Sequence, residues 1–280
     1  MRSVFFAPAN RPELLLKFQR FAADCSVIDL EDGTPSVDKL AAQASFRENA
    51  RAVRDSGYAG SLFARVNAPD TEWHEADLDA VCAADIDGIV IPKLERVEQL
   101  ASVSERRRDN QRVLLGIESI AGVLNAEALC RAETWGDICY FGAEDLAAQL
   151  GARRTAVGDE VLYARSRVLL AARAAGIVAI DQAVVDIRDA DQYRRDASRG
   201  RDLGYDGKLC VHPSQVVLAN EVFSPSAEEI EYASALIETY RTQQALGVGT
   251  IDFRGQMVDE PILKRAEGVM DTALALGLVS

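Results

Sequence analysis

Acidic residues at the ends of three apolar runs are the residues of this chain best placed to do chemistry. They are the triplet Asp29, Glu31 and Asp32, then Glu118, then Asp145. Short apolar runs rich in β-branched residues are typical of buried parallel strands, whose carboxyl ends share one rim. Carboxylates that meet there repel one another unless a cation lies among them, and all-oxygen ligands suit Mg²⁺ or Mn²⁺ better than Zn²⁺. The sequence therefore predicts a metal-dependent enzyme.

Glu118 and Asp145 are the best candidates for metal ligands, because each ends a strand-like run at the rim where barrel active sites lie. The alternative for each is a carboxylate in the first turn of the next helix, where it interacts with the helix dipole. In the alternating stretch from Asp29 to Glu31, these two side chains should share one face, so at least one carboxylate of the triplet reaches the centre. That carboxylate either binds the metal or holds metal-bound water.

Two basic residues accompany the carboxylates. Arg65 lies inside an otherwise apolar strand, where a charge is unfavourable unless it is paired. It is therefore either in an internal salt bridge or a fixed guanidinium facing a substrate oxygen that becomes negative during reaction. Lys93 ends another strand-like run, and beside an acidic metal site we predict an ion-pair partner rather than the Schiff-base lysine of an aldolase. His212, one of two histidines, is predicted to pack at a strand end.

Strand-like and helix-like segments must alternate to position these side chains. Eight strand-then-helix units in the first two hundred or so residues predict an α/β protein with a (β/α)₈ TIM barrel. A doubly wound sheet competes, but it often carries a glycine-rich first turn, and neither GxGxxG nor GxxxxGK[ST] occurs here. The predicted strands are residues 3–8, 25–32, 61–67, 88–93, 112–118, 137–145, 177–181 and 207–213.

The end of the chain exceeds what eight units require. Helix-like segments at 227–241 and 261–276 flank a stretch that contains three glycines. We therefore predict a catalytic barrel domain over residues 1–222 and a C-terminal helical extension over residues 223–280. Such an extension either covers the barrel of its own chain or reaches a neighbouring subunit.

The composition of the chain limits the classes of molecule that it is expected to bind. The 280 residues carry a net charge of −13, which argues against nucleic acid, because phosphate binding needs a basic surface. No apolar stretch approaches the roughly 20 residues of a membrane span, and the N-terminus lacks the apolar core of a signal peptide. The five cysteines show no CxxC spacing and are expected to be reduced. These features predict a cytoplasmic enzyme of a small-molecule substrate, without a membrane or nucleic-acid partner.

Short motifs recur in one order along nearly the whole chain. They are residues 6–13 (FAPANRPE), 28–33 (IDLEDG), 65–67 (RVN), 91–93 (IPK), 116–119 (GIES), 141–146 (FGAEDL), 204–208 (GYDGK) with 211–215 (VHPSQ), and 255–261 (GQMVDEP). Each motif is weak alone, but the ordered set is specific. It resembles the citrate lyase β-subunit-like (CitE-like) acyl-CoA lyases of the HpcH/HpaI aldolase superfamily, which include malyl-CoA and citramalyl-CoA lyases.

The resemblance implies a (β/α)₈ barrel, usually a homotrimer, with Mg²⁺ at the rim. Matched by motif, Glu118 and Asp145 would be the metal ligands, Glu31 and Asp32 would support the metal through water, and Arg65 would contact the substrate oxygens.

The resemblance also assigns roles further from the metal. Asp259 in the tail would enter the active site of an adjacent subunit as an acid/base. The segment from Arg11 to Lys17 would meet the phosphates of coenzyme A. Ala9 departs mildly from the family pattern, in which glycine is commoner.

The expected function is a Mg²⁺-dependent carbon–carbon lyase that cleaves or forms malyl-CoA, citramalyl-CoA or a related thioester, giving acetyl-CoA and a 2-oxo acid. Three alternatives stay open: a citrate lyase β-type subunit acting on a citryl-ACP or citryl-CoA thioester, a malyl-CoA thioesterase, and a pyruvate-type class II aldolase. The Asp259 motif disfavours the aldolase, which would need neither the tail nor a coenzyme A groove. The identity of the oxo acid is too fine to read from motifs, because one methyl group changes binding by only about 1–3 kcal/mol.

Overall fold

The computed structural model describes residues 1–132 and 136–279. Within these residues, eight parallel strands form a closed barrel in which each strand pairs with the next along the chain and the last pairs with the first. This confirms the predicted (β/α)₈ barrel. The strands are β1 (Ser3–Pro8), β2 (Cys25–Asp29), β3 (Ser61–Arg65), β4 (Gly88–Ile91), β5 (Arg112–Ile117), β6 (Gly136–Phe141), β7 (Val178–Asp181) and β8 (Gly207–Cys210).

Helices alternate with these strands. They are α1 (Pro12–Leu15), α2 (Lys39–Asp55), α3 (His74–Cys82), α4 (Ala101–Arg106), α5 (Ile120–Leu124), α6 (Ala126–Cys130), α7 (Ala143–Leu150), α8 (Leu162–Ala175), α9 (Ala190–Leu203) and α10 (Pro213–Val222). Proline begins α1 and α10, where its missing N–H has no helical partner to lose. Short 3₁₀ turns lie at Phe18–Arg20, Ser36–Asp38, Val97–Leu100 and Asp159–Val161.

The barrel interior is filled by side chains. Successive residues of a strand face opposite sides, so one set from each strand points inward and the other packs against the helices. The inward set forms its own buried cluster and includes Val27, Phe63, Leu114, Ile138 and Tyr140. Because the centre of the barrel is packed, chemistry is left to the rim at the carboxyl ends of the strands.

A buried network of charged side chains joins the last two strands to the helix layer. Arg165 of α8 donates to both carboxylate oxygens of Asp181 at the end of β7, at 2.8 and 2.5 Å, and its side chain is 0% exposed. Lys208 of β8 donates to Asp181 at 2.9 Å and to Asp196 of α9 at 2.5 Å. Arg165 also donates to Asp196 at 3.1 Å. The two cations and two carboxylates balance, as buried charges must.

The described chain divides into two compact units, Met1–Phe223 and Ser224–Ser280. The second unit contains α11 (Ala227–Gln244), β9 (Ile251–Phe253), β10 (Gln256–Val258) and α12 (Glu260–Ala275). The extension is thus mainly helical, with a small hairpin that the sequence analysis did not predict. Whether it serves as a separate domain that reaches a neighbouring subunit stays a prediction.

The hairpin of the second unit turns through Arg254 and Gly255. Their φ angles of +52° and +80° are those of a two-residue type I′ turn, which suits the twist of antiparallel strands. Phe253 and Val258 of the hairpin pack with Leu236 of α11 and Leu263 of α12 to form the core of this unit. No helix among the described residues has both the length and the apolar character needed to cross a bilayer.

Candidate active site

The rim at the carboxyl ends of the strands encloses a cavity of about 380 Å³. Its walls come from several strand ends and the loops that follow them, and they combine carboxylates with apolar side chains. They include Phe6, Asp29, Asp32, Arg65, Glu118, Tyr140, Gly142, Asp145, Ala183, Leu209 and Val211. The structure therefore brings together most of the rim residues that the sequence singled out.

Arg65 and Asp29 are directly opposite each other at the ends of the paired strands β3 and β2. Arg65 Nε and Nη2 donate to the two carboxylate oxygens of Asp29 at 2.8 and 2.6 Å. The Phe6 ring lies beneath the guanidinium, 5.0 Å from it, which adds a cation–π contact. Arg65 is thus in an internal salt bridge and also lines the cavity, while its contact with a substrate oxygen stays a prediction.

The pair changes how the neighbouring carboxylates titrate. Burial alone would raise the pKa of Asp29, but the Arg65 guanidinium and the N–H groups of Glu31 and Gly33 outweigh it and hold this pKa below its usual range. At Glu31, burial wins and raises the pKa, although Arg65 and Lys93 oppose it. Asp29 is therefore a fixed anion that orients Arg65.

Glu118 follows β5 and lies almost entirely inside the protein, with 3% of its surface exposed. Its Oε1 accepts hydrogen bonds from the Tyr140 hydroxyl and from the main-chain N–H of Lys93, both at 2.8 Å. Burial raises the pKa of Glu118 to about 7; Arg65 opposes this rise, and the charges of Glu31 and Asp145 add to it. The carboxylate is thus held in one orientation and costs free energy when it is ionised.

We predict that Glu118→Gln stabilises the metal-free protein at pH 8. The pKa of Glu118 rises from 4.5 to about 7 on folding, so ionisation penalises the folded state increasingly as the pH rises from about 4.5 to 7. At about 1.4 kcal/mol per pKa unit, the uncharged amide should raise the free energy of unfolding by about 3 kcal/mol at pH 8 and by almost nothing at pH 4. Chemical denaturation in EDTA at both pH values measures this difference. Equal effects of the substitution at pH 4 and pH 8 would contradict it.

Glycine at position 142 keeps the space around Glu118 open. A Cβ built on Gly142 would come within 2.4 Å of Glu118 Oε2, a distance that real Cβ atoms essentially never show. Gly142 immediately precedes α7, which carries Asp145 in its first turn. The motif FGAEDL therefore combines a glycine that admits Glu118 with a carboxylate that follows three residues later.

Asp145 and Asp32 are the more exposed of the three carboxylates that surround the Lys93 ammonium group. The Asp145 side chain is 42% exposed and that of Asp32 is 60% exposed, against 4% for Glu31. Lys93 links all three, because its Nζ lies 2.6 Å from Glu31 Oε1, 3.1 Å from Asp32 Oδ2 and 3.9 Å from Asp145 Oδ1. Burial opposes it, but the hydrogen bonds and charges of Glu31 and Asp32 raise the pKa of Lys93 above its usual range. The ion-pair prediction for Lys93 is confirmed.

The donor atoms at the rim fit Mg²⁺. Glu118 and Asp145 offer carboxylate oxygens at the wall of one cavity. Buried Glu31 Oε2 accepts no hydrogen bond from the described residues, although Arg65 Nη1 lies 2.9 Å away. Within residues 1–132 and 136–279, no three His, Cys, Asp or Glu side chains are gathered as a complete metal site. A cation held by Glu118 and Asp145 would take its other ligands from water or substrate oxygens, an arrangement that suits Mg²⁺.

A buried lysine behind the rim was missed by the sequence analysis. Lys39 Nζ donates to the main-chain carbonyls of Leu30 and Glu31 at 2.7 and 2.8 Å and to Asn67 Oδ1 at 2.5 Å. Asn67 in turn donates to Asp77 Oδ2 at 2.6 Å. These bonds fix the loop after β2, so the position of the Glu31 side chain is set from behind. The signal in the sequence was Asn67 itself, in the motif RVN.

Three predicted site residues of the first unit, Arg11, Lys17 and Glu31, do not line the cavity. Arg11 and Lys17 are exposed near α1, and Arg11 is paired with Glu13 at 2.5 Å. Asp259 belongs to the second unit, where it precedes α12 and makes no capping hydrogen bond with its side chain. Their roles stay predictions.

Comparison with known proteins identifies the family of this chain. The family model described as "HpcH/HpaI aldolase/citrate lyase" matches residues 2–213. The chain belongs to this family. It is 42% identical to the citrate lyase subunit beta-like protein of Deinococcus radiodurans, with 96% of each chain covered.

Further relatives of this family member carry enzymatic names. Mitochondrial citramalyl-CoA lyase of Mus musculus is 30% identical, over 98% of this chain and 86% of that protein. A (3S)-malyl-CoA thioesterase of Cereibacter sphaeroides is 34% identical, over 98% and 95%. The CitE protein of Mycobacterium tuberculosis, solved with magnesium, acetoacetate and coenzyme A, superposes with a TM-score of 0.82 at 30% identity over 98% and 99% of the two chains. The chain is therefore an enzyme of the lyase class with a CitE-like barrel.

Proposed function

We propose that this enzyme is a Mg²⁺-dependent lyase that cleaves, or forms, the carbon–carbon bond of a malyl-CoA or citramalyl-CoA type of thioester, with acetyl-CoA and a 2-oxo acid as products. The observation that carries the proposal is the convergence of Glu118 and Asp145 with Arg65 at the wall of one cavity. The neighbouring CitE structure with magnesium and coenzyme A supports the same cofactor and carrier here.

Arg65 stabilises the negative charge that cleavage produces. When the carbon–carbon bond breaks, the electron pair passes to the thioester fragment and gives an enolate oxygen. The Asp29 pair uses two of the N–H donors of Arg65 and fixes its plane, and Nη1 lies 2.9 Å from Glu31. The N–H donors of the guanidinium that these carboxylates leave over bind that oxygen without reorganisation. Asp29 is thus a positioning residue for Arg65.

Glu118 and Asp145 would hold the metal ion, with Glu31 and Asp32 binding its water. Bound there, Mg²⁺ would supply a Lewis acid that lowers the pKa of the substrate hydroxyl. Tyr140 and the N–H of Lys93 keep Glu118 in place, and Lys93 keeps Glu31 beside Asp32.

Asp259 is proposed as the acid that protonates the enolate carbon, and as the base that removes this proton in the condensation direction. Its carboxylate is not used to cap α12 and is partly exposed, so it is available to act on a substrate. We further propose a cytoplasmic homotrimer in which Asp259 serves the site of an adjacent subunit. Light scattering on the purified protein would give the mass of the assembly and test the trimer.

Thioester hydrolysis is the second candidate function, and the 34% identity to a (3S)-malyl-CoA thioesterase favours it. The two activities share the metal site and differ in the bond that breaks. Hydrolysis releases free coenzyme A, whereas carbon–carbon cleavage releases acetyl-CoA.

A cleavage assay decides between them. The purified protein is freed of metal with EDTA, given Mg²⁺, and incubated in parallel with malyl-CoA and citramalyl-CoA, while acetyl-CoA, free coenzyme A and the 2-oxo acid are quantified. We expect acetyl-CoA and one equivalent of glyoxylate or pyruvate, lost when EDTA is restored. Free coenzyme A without acetyl-CoA would show that the enzyme is a thioesterase and not a lyase. No product from either substrate would contradict both.

A further inference from the structure

Lys93 contacts four carboxylates of the rim through two different groups. Its main-chain N–H donates to Glu118 Oε1 at 2.8 Å. Its ammonium group lies 2.6 Å from Glu31, 3.1 Å from Asp32 and 3.9 Å from Asp145. One residue therefore links both proposed metal ligands to both carboxylates proposed to hold metal-bound water.

The backbone at Lys93 explains how one residue reaches both sides. Its φ angle is +53°, in the left-handed region that residues with a Cβ rarely adopt. This conformation directs the N–H toward Glu118 while the side chain turns to Glu31 on the loop after β2. Such strain persists only where the surrounding contacts hold it, and here those contacts are the rim carboxylates themselves.

The charge balance of the rim depends on this lysine. Arg65 is committed to Asp29 by two hydrogen bonds and lies beside Glu31. Within residues 1–132 and 136–279, Lys93 supplies the ion pairs of both Asp32 and Asp145. Its ammonium group therefore neutralises part of the negative charge that would otherwise attract a divalent cation to Asp145.

We propose that Lys93 is a positioning residue that sets the affinity of the rim for its divalent cation, by fixing Glu118 through the main chain and by opposing the cation's charge through the side chain. This inference rests on the proposed Mg²⁺ site. It assigns to Lys93 a moderating effect: the site binds the cation less tightly than its carboxylates alone would.

Calorimetric titration of the full-length protein with MgCl₂, without substrate, tests this inference. Lys93→Met removes the ammonium group and keeps the length of the side chain. Lys93→Asn removes it while retaining a residue that tolerates a positive φ. Two charges separated by a few ångströms still interact appreciably at the dielectric constant of water, so we expect both variants to bind Mg²⁺ about tenfold more tightly than the wild type. Lys93→Arg, which keeps the charge, should stay near the wild-type affinity.

Arg112→Met serves as the matched control. Arg112 begins β5 at the opposite end of the barrel, where it is paired with Asp137 at 2.5 Å, so its loss removes one positive charge far from the rim. A merely structural role for Lys93 would lower folding stability without tightening Mg²⁺ binding, and circular dichroism melts record stability separately.

The outcomes separate the two proposals. Tighter binding by Lys93→Met and Lys93→Asn, with Arg112→Met unchanged, supports the inference. Unchanged or weaker binding by both neutral variants, in the presence of a wild type that does bind Mg²⁺, overturns it and leaves the proposed function standing. A wild type that does not bind Mg²⁺ overturns the proposed metal site and this inference together.

Discussion

Replacing Asp145 with alanine should abolish measurable Mg²⁺ binding and lower kcat/KM for the thioester substrate by at least about 10³-fold, equivalent to about 4 kcal/mol of transition-state stabilisation. Only two carboxylates are proposed as protein ligands, so the loss of one leaves the cation with Glu118 alone. The side chain is 42% exposed, so its truncation leaves no buried cavity. Calorimetry with MgCl₂ and the cleavage assay measure the two effects.

Asp137→Asn is the control for this experiment. Asp137 lies near the amino end of β6, at the opposite end of the strand that leads to Asp145, and is half exposed in its pair with Arg112. Its replacement should change neither the Mg²⁺ affinity nor kcat/KM for the thioester substrate. The competing interpretation of Asp145 is a carboxylate that interacts with the dipole of α7. In that case, the alanine variant would lose about 0.5–1 kcal/mol of folding stability and would bind Mg²⁺ normally, which would refute its role as a ligand.

Asp259→Ala should separate metal binding from proton transfer. We expect Mg²⁺ affinity to stay within about twofold of the wild type, while kcat for cleavage falls by about 10²–10⁴-fold, the range typical of a lost general acid. Exchange of the acetyl-CoA methyl protons with deuterated water should fall in parallel, because the same carboxylate would remove that proton in the reverse direction.

Glu260→Gln is a suitable control, because Glu260 is the next residue and pairs with Lys264 at 2.9 Å on the surface of α12. It should behave as the wild type. If the Asp259 variant retains full lyase activity, the acid must come from elsewhere. Deuterium exchange should then be retained as well, because the group that protonates the enolate carbon in cleavage is also the group that removes this proton in the reverse direction.

The order of strands and helices could be predicted because each strand is a short apolar run rich in β-branched residues. The predicted ends were less accurate. The run 25–32 yields a strand that ends at Asp29, and the run 207–213 yields one that ends at Cys210. Past Asp29, burial continues through Leu30 and Glu31, so the apolar pattern overshoots the strand because the loop that follows is also buried. Past Cys210 burial stops, because Val211 is 44% exposed, and there an apolar residue prolonged the pattern without being buried.

The role of His212 was also predicted wrongly from the sequence. We predicted that it packs at a strand end, and that prediction is wrong. It is the N-cap of α10, where its side chain accepts a hydrogen bond from the N–H of Ser214. Serine, threonine, aspartate and asparagine are the usual signals for such a position, so a histidine before a proline gave little warning.

The partners of the rim side chains could not be predicted. Tyr140 looks like one more residue of an apolar strand, yet its hydroxyl orients Glu118. Lys39 looks like the start of an ordinary surface helix, yet it is buried against the loop that carries Glu31. These contacts join segments far apart in the sequence, and a single sequence records periodicity along the chain but not which distant segments meet.

The buried quartet of Arg165, Asp181, Asp196 and Lys208 restricts how this enzyme can diverge. Each of the two cations donates to both carboxylates. Any single neutral replacement therefore leaves an unpaired charge in the protein interior. Such a loss typically destabilises a fold by about 3–5 kcal/mol, a large part of the roughly 5–15 kcal/mol that holds a domain together. Descendants of this chain should therefore keep all four residues or exchange them as compensating pairs. A mutational scan for growth or solubility would show these positions as mutually dependent, while the rim pocket above them remains free to adapt to a new acyl group.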